Sequence, residues 1–282
     1  MAQKVAAVTG SNKGLGFFIV KRLCQHFDGI VYLLARNEER GLEAVRKLNK
    51  MGLKPEFHIL DVSDKESIKK FADFIKTKHG GLNVLVNNAA VMDYKTVYPS
   101  YEGAKYNIDV NYRSLLDIEK YLYPLLRDGA RVVNVSSMCG HLSNLRNKKW
   151  LDSLTKEDLE TEDINNFVDD YLNSVKNGTF KKEDFADEGK HAEHRVSKIA
   201  MTALTMVQQR KYKNISINAI YPGYLKTDMA PKGVKDPEEA ADVIVYLILE
   251  ASPNLKGTFM WDTKKLVDWY DVDGDYYYKH ED

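Results

Sequence analysis

Through the first 140 residues of this 282-residue chain, short apolar runs alternate with stretches of helical periodicity. Apolar runs fall at 5–9, 30–35, 57–60, 82–86 and 131–135. Each is too short for a buried helix and has no polar alternation, so each reads as a strand covered on both faces. Between them, 14–26, 38–50, 67–78 and 108–126 carry apolar residues at steps of three and four. Strand and helix in strict alternation mean βαβ units and a parallel sheet. Right-handed crossovers then predict an α/β, doubly wound (Rossmann) sheet with helices on both faces.

The texture changes after Gly140. Residues 141–190 hold 12 acidic against 8 basic residues. Within them Thr155-Lys-Glu-Asp158 has the spacing of a capping box. Ile164, Phe167, Val168, Tyr171, Leu172 and Val175 then follow at helical spacing. This segment reads as a helical insertion docked by one apolar stripe. Alternation resumes with a helix at 194–212, a strand at 215–220, a helix at 237–249 and a last strand at 257–261. One domain over 1–282, with the insertion at 141–190 and an acidic, tyrosine-rich tail at 266–282, is the simplest organisation. The tail's Asp271-Val-Asp273-Gly274-Asp275 has its glycine two positions too early for a calcium loop, so it reads as a solvated acidic end.

Lys and Arg number 41, as do Asp and Glu, which argues against a nucleic-acid binder. No apolar run approaches the ~18 residues of a membrane span, and nothing resembles a targeting signal, so no membrane partner and a cytoplasmic location are expected. Two cysteines, Cys24 and Cys139, make neither a disulfide framework nor a zinc site, and no metal is expected.

Between the first strand and first helix lies Thr9-Gly10-Ser11-Asn12-Lys13-Gly14-Leu15-Gly16. Glycines there let the backbone turn tightly and approach a pyrophosphate, whose charge the helix N-terminus favours. Asp61-Val62, Asn87-Asn88-Ala89-Ala90, Asn134-Val135-Ser136-Ser137 and Pro222-Gly223 follow on successive strand ends. With these five motifs in order, the chain over about 4–265 resembles the short-chain dehydrogenases/reductases, and among them the monomeric carbonyl reductases.

The resemblance implies a nicotinamide cofactor, hydride transfer, and reduction of aldehydes, ketones or quinones. The turn (Gly10, Asn12, Lys13, Gly14, Leu15, Gly16) would hold the pyrophosphate end. Asp61 and Val62 would meet the adenine, Asn88 the adjacent ribose or backbone. Pro222, Gly223, Leu225 and Thr227 would meet the nicotinamide amide or phosphates. An NAD site wants an acid at the end of the second strand, and here Ala35-Arg36 stands there. Arg36 and Lys13 could converge on a 2′-phosphate, which points to NADP(H). Relatives of this kind use the insertion to cover the faces through which other members pair, so a monomer is expected.

At the reacting centre the family pattern is Ser, Tyr and, four residues later, Lys. Ser137 matches the serine that orients the carbonyl, Lys198 the lysine that binds the nicotinamide ribose, and Asn111 the asparagine that holds a water. Tyr224 and Trp261 are candidate walls of an apolar substrate pocket. The tyrosine position carries His194, within His191-Ala-Glu-His194-Arg-Val-Ser-Lys198. A neutral imidazole is a poor acid, and a charged Lys198 nearby disfavours the imidazolium. Two readings follow: a carbonyl reductase weakened by the ~10²–10⁴-fold that general acid catalysis supplies, or an inactive NADP(H)-binding relative that senses cofactor or engages a protein.

Overall fold

The computed structural model describes residues 3–92 and 97–276. The strands are β1 (Val5–Val8), β2 (Ile30–Ala35), β3 (Glu56–Ile59), β4 (Leu82–Asn87), β5 (Leu126–Val135), β6 (Ser216–Tyr221), β7 (Phe259–Trp261) and β8 (Leu266–Val267). They form one sheet in the order β3-β2-β1-β4-β5-β6-β7-β8. All neighbours are parallel except β8, which runs antiparallel to β7. The chain thus builds outward from β1 in one direction, then restarts at β4 in the other. A crevice opens where the order reverses, outside the carboxyl ends of β1 and β4.

Helices cover both faces. On one lie α1 (Gly14–His26), α2 (Glu38–Lys50) and α9 (Pro237–Leu249), whose buried Leu23, Leu48 and Ile244 share a core with Val8, Leu33 and Val86. On the other lie α3 (Lys65–His79), α4 (Tyr101–Ile108), α5 (Ser114–Leu122) and α8 (Ala192–Lys211). Asn37 caps α2 by accepting from the Arg40 N–H at 2.9 Å, and Asp64 caps α3 by accepting from the Glu66 N–H at 2.9 Å.

The helix expected at 108–126 is displaced. Helical chain starts at Tyr101, loosens to a π-helical turn over Asp109–Arg113, and closes in a 3-10 turn at Tyr123–Leu125. The expected strand at 131–135 begins earlier, at Leu126, with its first pair opposite Leu82.

The insertion contributes α6 (Lys148–Leu154) and α7 (Thr161–Lys176), with α7 packed against α4 and α8. Its expected stripe is buried from Ile164 to Leu172, with Val175 half-buried. The Trp150 ring meets Phe167 edge-on at 5.4 Å. The capping box expected at Thr155 is not used. Thr155 instead ends α6, its N–H and hydroxyl both donating to the Leu151 carbonyl. The start of α7 is fixed by the Glu160 N–H donating to Asp163 at 3.1 Å.

The tail departs from expectation too. Trp269 is buried, and Tyr276 packs on His141 with ring centres 4.7 Å apart, so the rings dock this end of the chain on the body while most of its acids face solvent. Asp268, Asp273 and Asp275 stay exposed, while the Trp269 ring is buried and Tyr276 is half-buried. Tyr277, Tyr278 and Asp282 lie outside the described residues.

Phe167→Ala should cost about 3–5 kcal/mol of stability, because the ring is buried against Trp150. Urea unfolding measures this, and a loss under about 1 kcal/mol would mean that the stripe does not anchor the insertion.

Candidate active site

The crevice at the reversal point is a cleft of about 870 Å³, in the range of small-molecule and cofactor sites. Its floor is the turn between β1 and α1. The Thr9 hydroxyl accepts the backbone N–H groups of Asn88 and Ala89, each at 3.0 Å. The Asn88 side chain donates to the carbonyls of Thr9 at 2.9 Å and Gly10 at 3.2 Å. Ser11 ties the same turn to β2 through Leu34. The fit leaves no room for side chains. A Cβ on Gly16 would sit 2.8 Å from the Gly10 oxygen and 2.5 Å from the Asn88 amide nitrogen. Gly10 has φ +62°, and a Cβ there would lie 2.8 Å from Ala89.

Gly10, Asn12, Lys13, Gly14, Leu15 and Gly16 all line this cleft. So do Arg36, Asp61, Val62 and Asn88, and across from them Pro222, Gly223, Tyr224, Leu225 and Thr227. A backbone cradle at a helix N-terminus could hold a pyrophosphate. Lys13 and Arg36 stand at one end as expected, joined by Arg40 of α2, to which the sequence alone assigns no role. Lys13 pairs with Asp228 at 2.8 Å, and Arg36 donates to the Tyr106 hydroxyl at 3.2 Å. The Lys13–Asp228 pair is mostly solvent-exposed and contributes little, so a phosphate can displace it.

At the other end stand Ser137, His194 and Lys198, joined by Cys139, His191 and Arg195, to which no motif in the sequence assigns a role. The Ser137 oxygen accepts the Cys139 N–H at 3.2 Å, which leaves its own hydrogen free to donate. Lys198 is buried in α8 and donates from Nζ to the Val135 carbonyl at 2.7 Å. Among the described residues no carboxylate pairs with it. Burial pushes its ammonium down to about 7, with the Cys139 thiol acting the other way.

His194 is buried, and its Nδ1 has no hydrogen-bond partner among the described residues. Such an orphan costs roughly 1–3 kcal/mol, which a polar guest in the cleft would relieve. Burial first, then the cations Lys198, His191 and Arg195, hold its pKa well below the usual histidine value. The imidazole is therefore neutral.

Asn111 does not line the cleft. Its side chain accepts from the Val91 N–H at 2.8 Å and donates to the Val91 carbonyl at 2.9 Å and the Ser197 hydroxyl at 3.2 Å. It braces the segment after β4 against α8. Trp261 also stands back from the cleft, edge-on to the cleft residue Tyr221 at 5.2 Å. Among the described residues no cluster of three metal-ligating side chains occurs, and no helix is long and apolar enough to cross a membrane.

The model of the short chain dehydrogenase family matches residues 4–148. The chain is 40% identical over 281 residues to carbonyl reductase [NADPH] 1 of Mus musculus, covering 95% of this chain and 99% of that one. It is 37% identical over 278 residues to carbonyl reductase [NADPH] 1 of Bos taurus, covering 94% and 98%. Among solved structures, salutaridine reductase from Papaver somniferum superposes with a TM-score of 0.83 at 30% identity, covering 92% of this chain and all of that one.

Lysine labelled with ¹³C at Cε should show one resonance, lost in Lys198→Gln, that titrates near pH 7. A Lys198 resonance that titrates with the bulk of the lysines would contradict the dry environment described for it.

Proposed function

The chain belongs to the short chain dehydrogenase family, and on that premise we propose that it reduces small aldehydes, ketones or quinones with NADPH, more slowly than a relative with a tyrosine at position 194. The observation that carries this reading is the convergence of two ends of one cleft. One end offers backbone N–H groups and three cations, Lys13, Arg36 and Arg40; the other offers Ser137, Lys198 and a neutral His194 whose Nδ1 has no partner among the described residues. The cofactor preference rests on those cations and on the absence of an acid after β2, where Arg36 follows Ala35. Bound in this cleft, the dihydronicotinamide would supply the hydride.

The protein's own groups do the rest. Ser137 donates its free hydroxyl hydrogen to the carbonyl oxygen and draws charge onto it. Lys198, held on α8 by Val135, supplies donors near the reacting centre and, while charged, a favourable field for a developing alkoxide. The missing element is an acid. Neutral His194 can donate one hydrogen bond, but it has no second proton to give. The alkoxide then takes its proton from water. General acid catalysis is typically worth about 10²–10⁴-fold, and this is the expected deficit. Asn111 enters as a brace for α8 rather than as a contact. The insertion covers α4 and α8 with α7, which supports a monomer.

The test is NADPH oxidation with a panel of aromatic aldehydes, ketones and quinones. Wild-type turnover should be slow and should rise only modestly between pH 7.5 and 5.5, as Lys198 gains its charge while His194 stays neutral. His194→Tyr should raise kcat by about 10²-fold or more. A rise toward pH 5.5 that His194→Gln abolishes would make the imidazolium the acid. Cofactor binding with no turnover in either protein would favour a non-enzymatic, cofactor-sensing role.

A further inference from the structure

The segment after β8 returns to the loop that carries Ser137. The Trp269 indole N–H donates to the Gly140 carbonyl at 2.7 Å, across 129 residues of sequence. Next to it, Nδ1 of His141 lies 3.1 Å from the Ser143 backbone N–H, which can only donate. Nδ1 is therefore the acceptor, and the ring proton sits on Nε2. Nε2 donates to the Asp268 carbonyl at 2.8 Å. The Tyr276 ring covers the other side of His141, and burial keeps that histidine neutral.

What these contacts hold lies at the reacting centre. The Gly140 N–H donates to the Ser137 carbonyl at 2.8 Å, closing the turn that sets the serine. Gly140 is pressed onto α8 so closely that a Cβ would meet the Lys198 carbonyl at 2.8 Å and the Ser136 hydroxyl at 2.4 Å. The loop therefore rests directly on the turn of helix that carries Lys198. The Trp269 indole, itself buried, covers the loop at the Gly140 carbonyl.

We propose that Trp269 is a positioning residue: its indole N–H straps the 137–144 loop onto α8, and so fixes Ser137 relative to Lys198. The proposal rests on the reductase reading for its kinetic consequence, and on the contacts above for the strap itself. The tail is thus part of the site's frame, not a solvated appendage.

Trp269→Phe keeps an aromatic ring and removes only the N–H and some ring area. In hydrogen exchange, the amides of Gly140 and His141 should open about tenfold faster in this variant, the scale of one lost hydrogen bond to a buried carbonyl. Amides in the glycine turn should not change. kcat for the best carbonyl of the panel should fall about tenfold, with NADPH affinity unaltered, because the cradle lies at the opposite wall. A chain ending at Asp273 keeps the indole and should retain wild-type exchange at Gly140. Unchanged exchange in Trp269→Phe, or faster exchange with kcat intact, would overturn the proposal. So would equal losses of kcat, NADPH affinity and melting temperature, which indicate general loosening. A wild-type protein with no turnover on any carbonyl would instead sink the reductase reading and the kinetic role with it, while the exchange data would still decide whether the strap exists.

Discussion

One hydroxyl ties together the two turns that leave this sheet at the point where its order reverses. Thr9 takes backbone N–H groups from Asn88 and Ala89, and Asn88 returns two hydrogen bonds to the turn. The clamp extends the β1–β4 ladder past Val8 and Val86 and holds the two turns together beyond the strand ends. The clamp is possible because Gly10 and Gly16 let the backbones approach. The same closeness leaves the first N–H groups of α1 facing the cleft. Fold and anion site are therefore one piece of geometry, and a change that damages one damages the other.

The second organising feature is α8. Most of its residues are buried, yet it carries Arg195, Ser197, Lys198, Thr202, Thr205 and Gln208 inside the protein. Each needs a partner. Thr205 accepts from Asn134 at 2.8 Å, and Asn134 in turn accepts from Asn87 at 2.8 Å, a buried ladder from helix to β5 to β4. Gln208 accepts from Tyr123 at 2.8 Å and donates to Glu119 at 2.9 Å. These bonds fix the rotation of α8 about its axis. That rotation decides which side chains face the cleft, so His194 and Lys198 are presented by polar partners well away from the chemistry.

Most of the frame was legible in the sequence because parallel sheets advertise themselves. Their central strands are covered on both sides and appear as short, mostly apolar runs, and the glycine turn has no other easy use; the edge strand β3 is the exception, with Glu56 and Ile59 exposed. Long-range pairings left little trace. Thr155 sits in a string that looks like a helix start, but Leu151 is near enough to make it a helix end. Arg40 reads as one more charge on a surface helix until α2 is set beside the cleft. The tail has acidic spacing that suggests solvent, and only the fold brings Trp269 to Gly140. Residue types can be read locally; partners more than a hundred positions away cannot. The place of His194 follows from its register with Lys198, whereas its unpartnered Nδ1 emerges only in the fold, among the described residues.

The central claim is that the mouth of this sheet selects a dinucleotide with an extra phosphate on its adenosine ribose. Titrating the purified protein with NADPH and with NADH, followed by dihydronicotinamide fluorescence at fixed ionic strength, tests it directly. Charge-assisted hydrogen bonds contribute about 1.5–3 kcal/mol each, so NADPH should bind at least about tenfold more tightly, with the difference shrinking as salt rises. Equal affinity for the two, preference for NADH, or no binding of either would contradict the account.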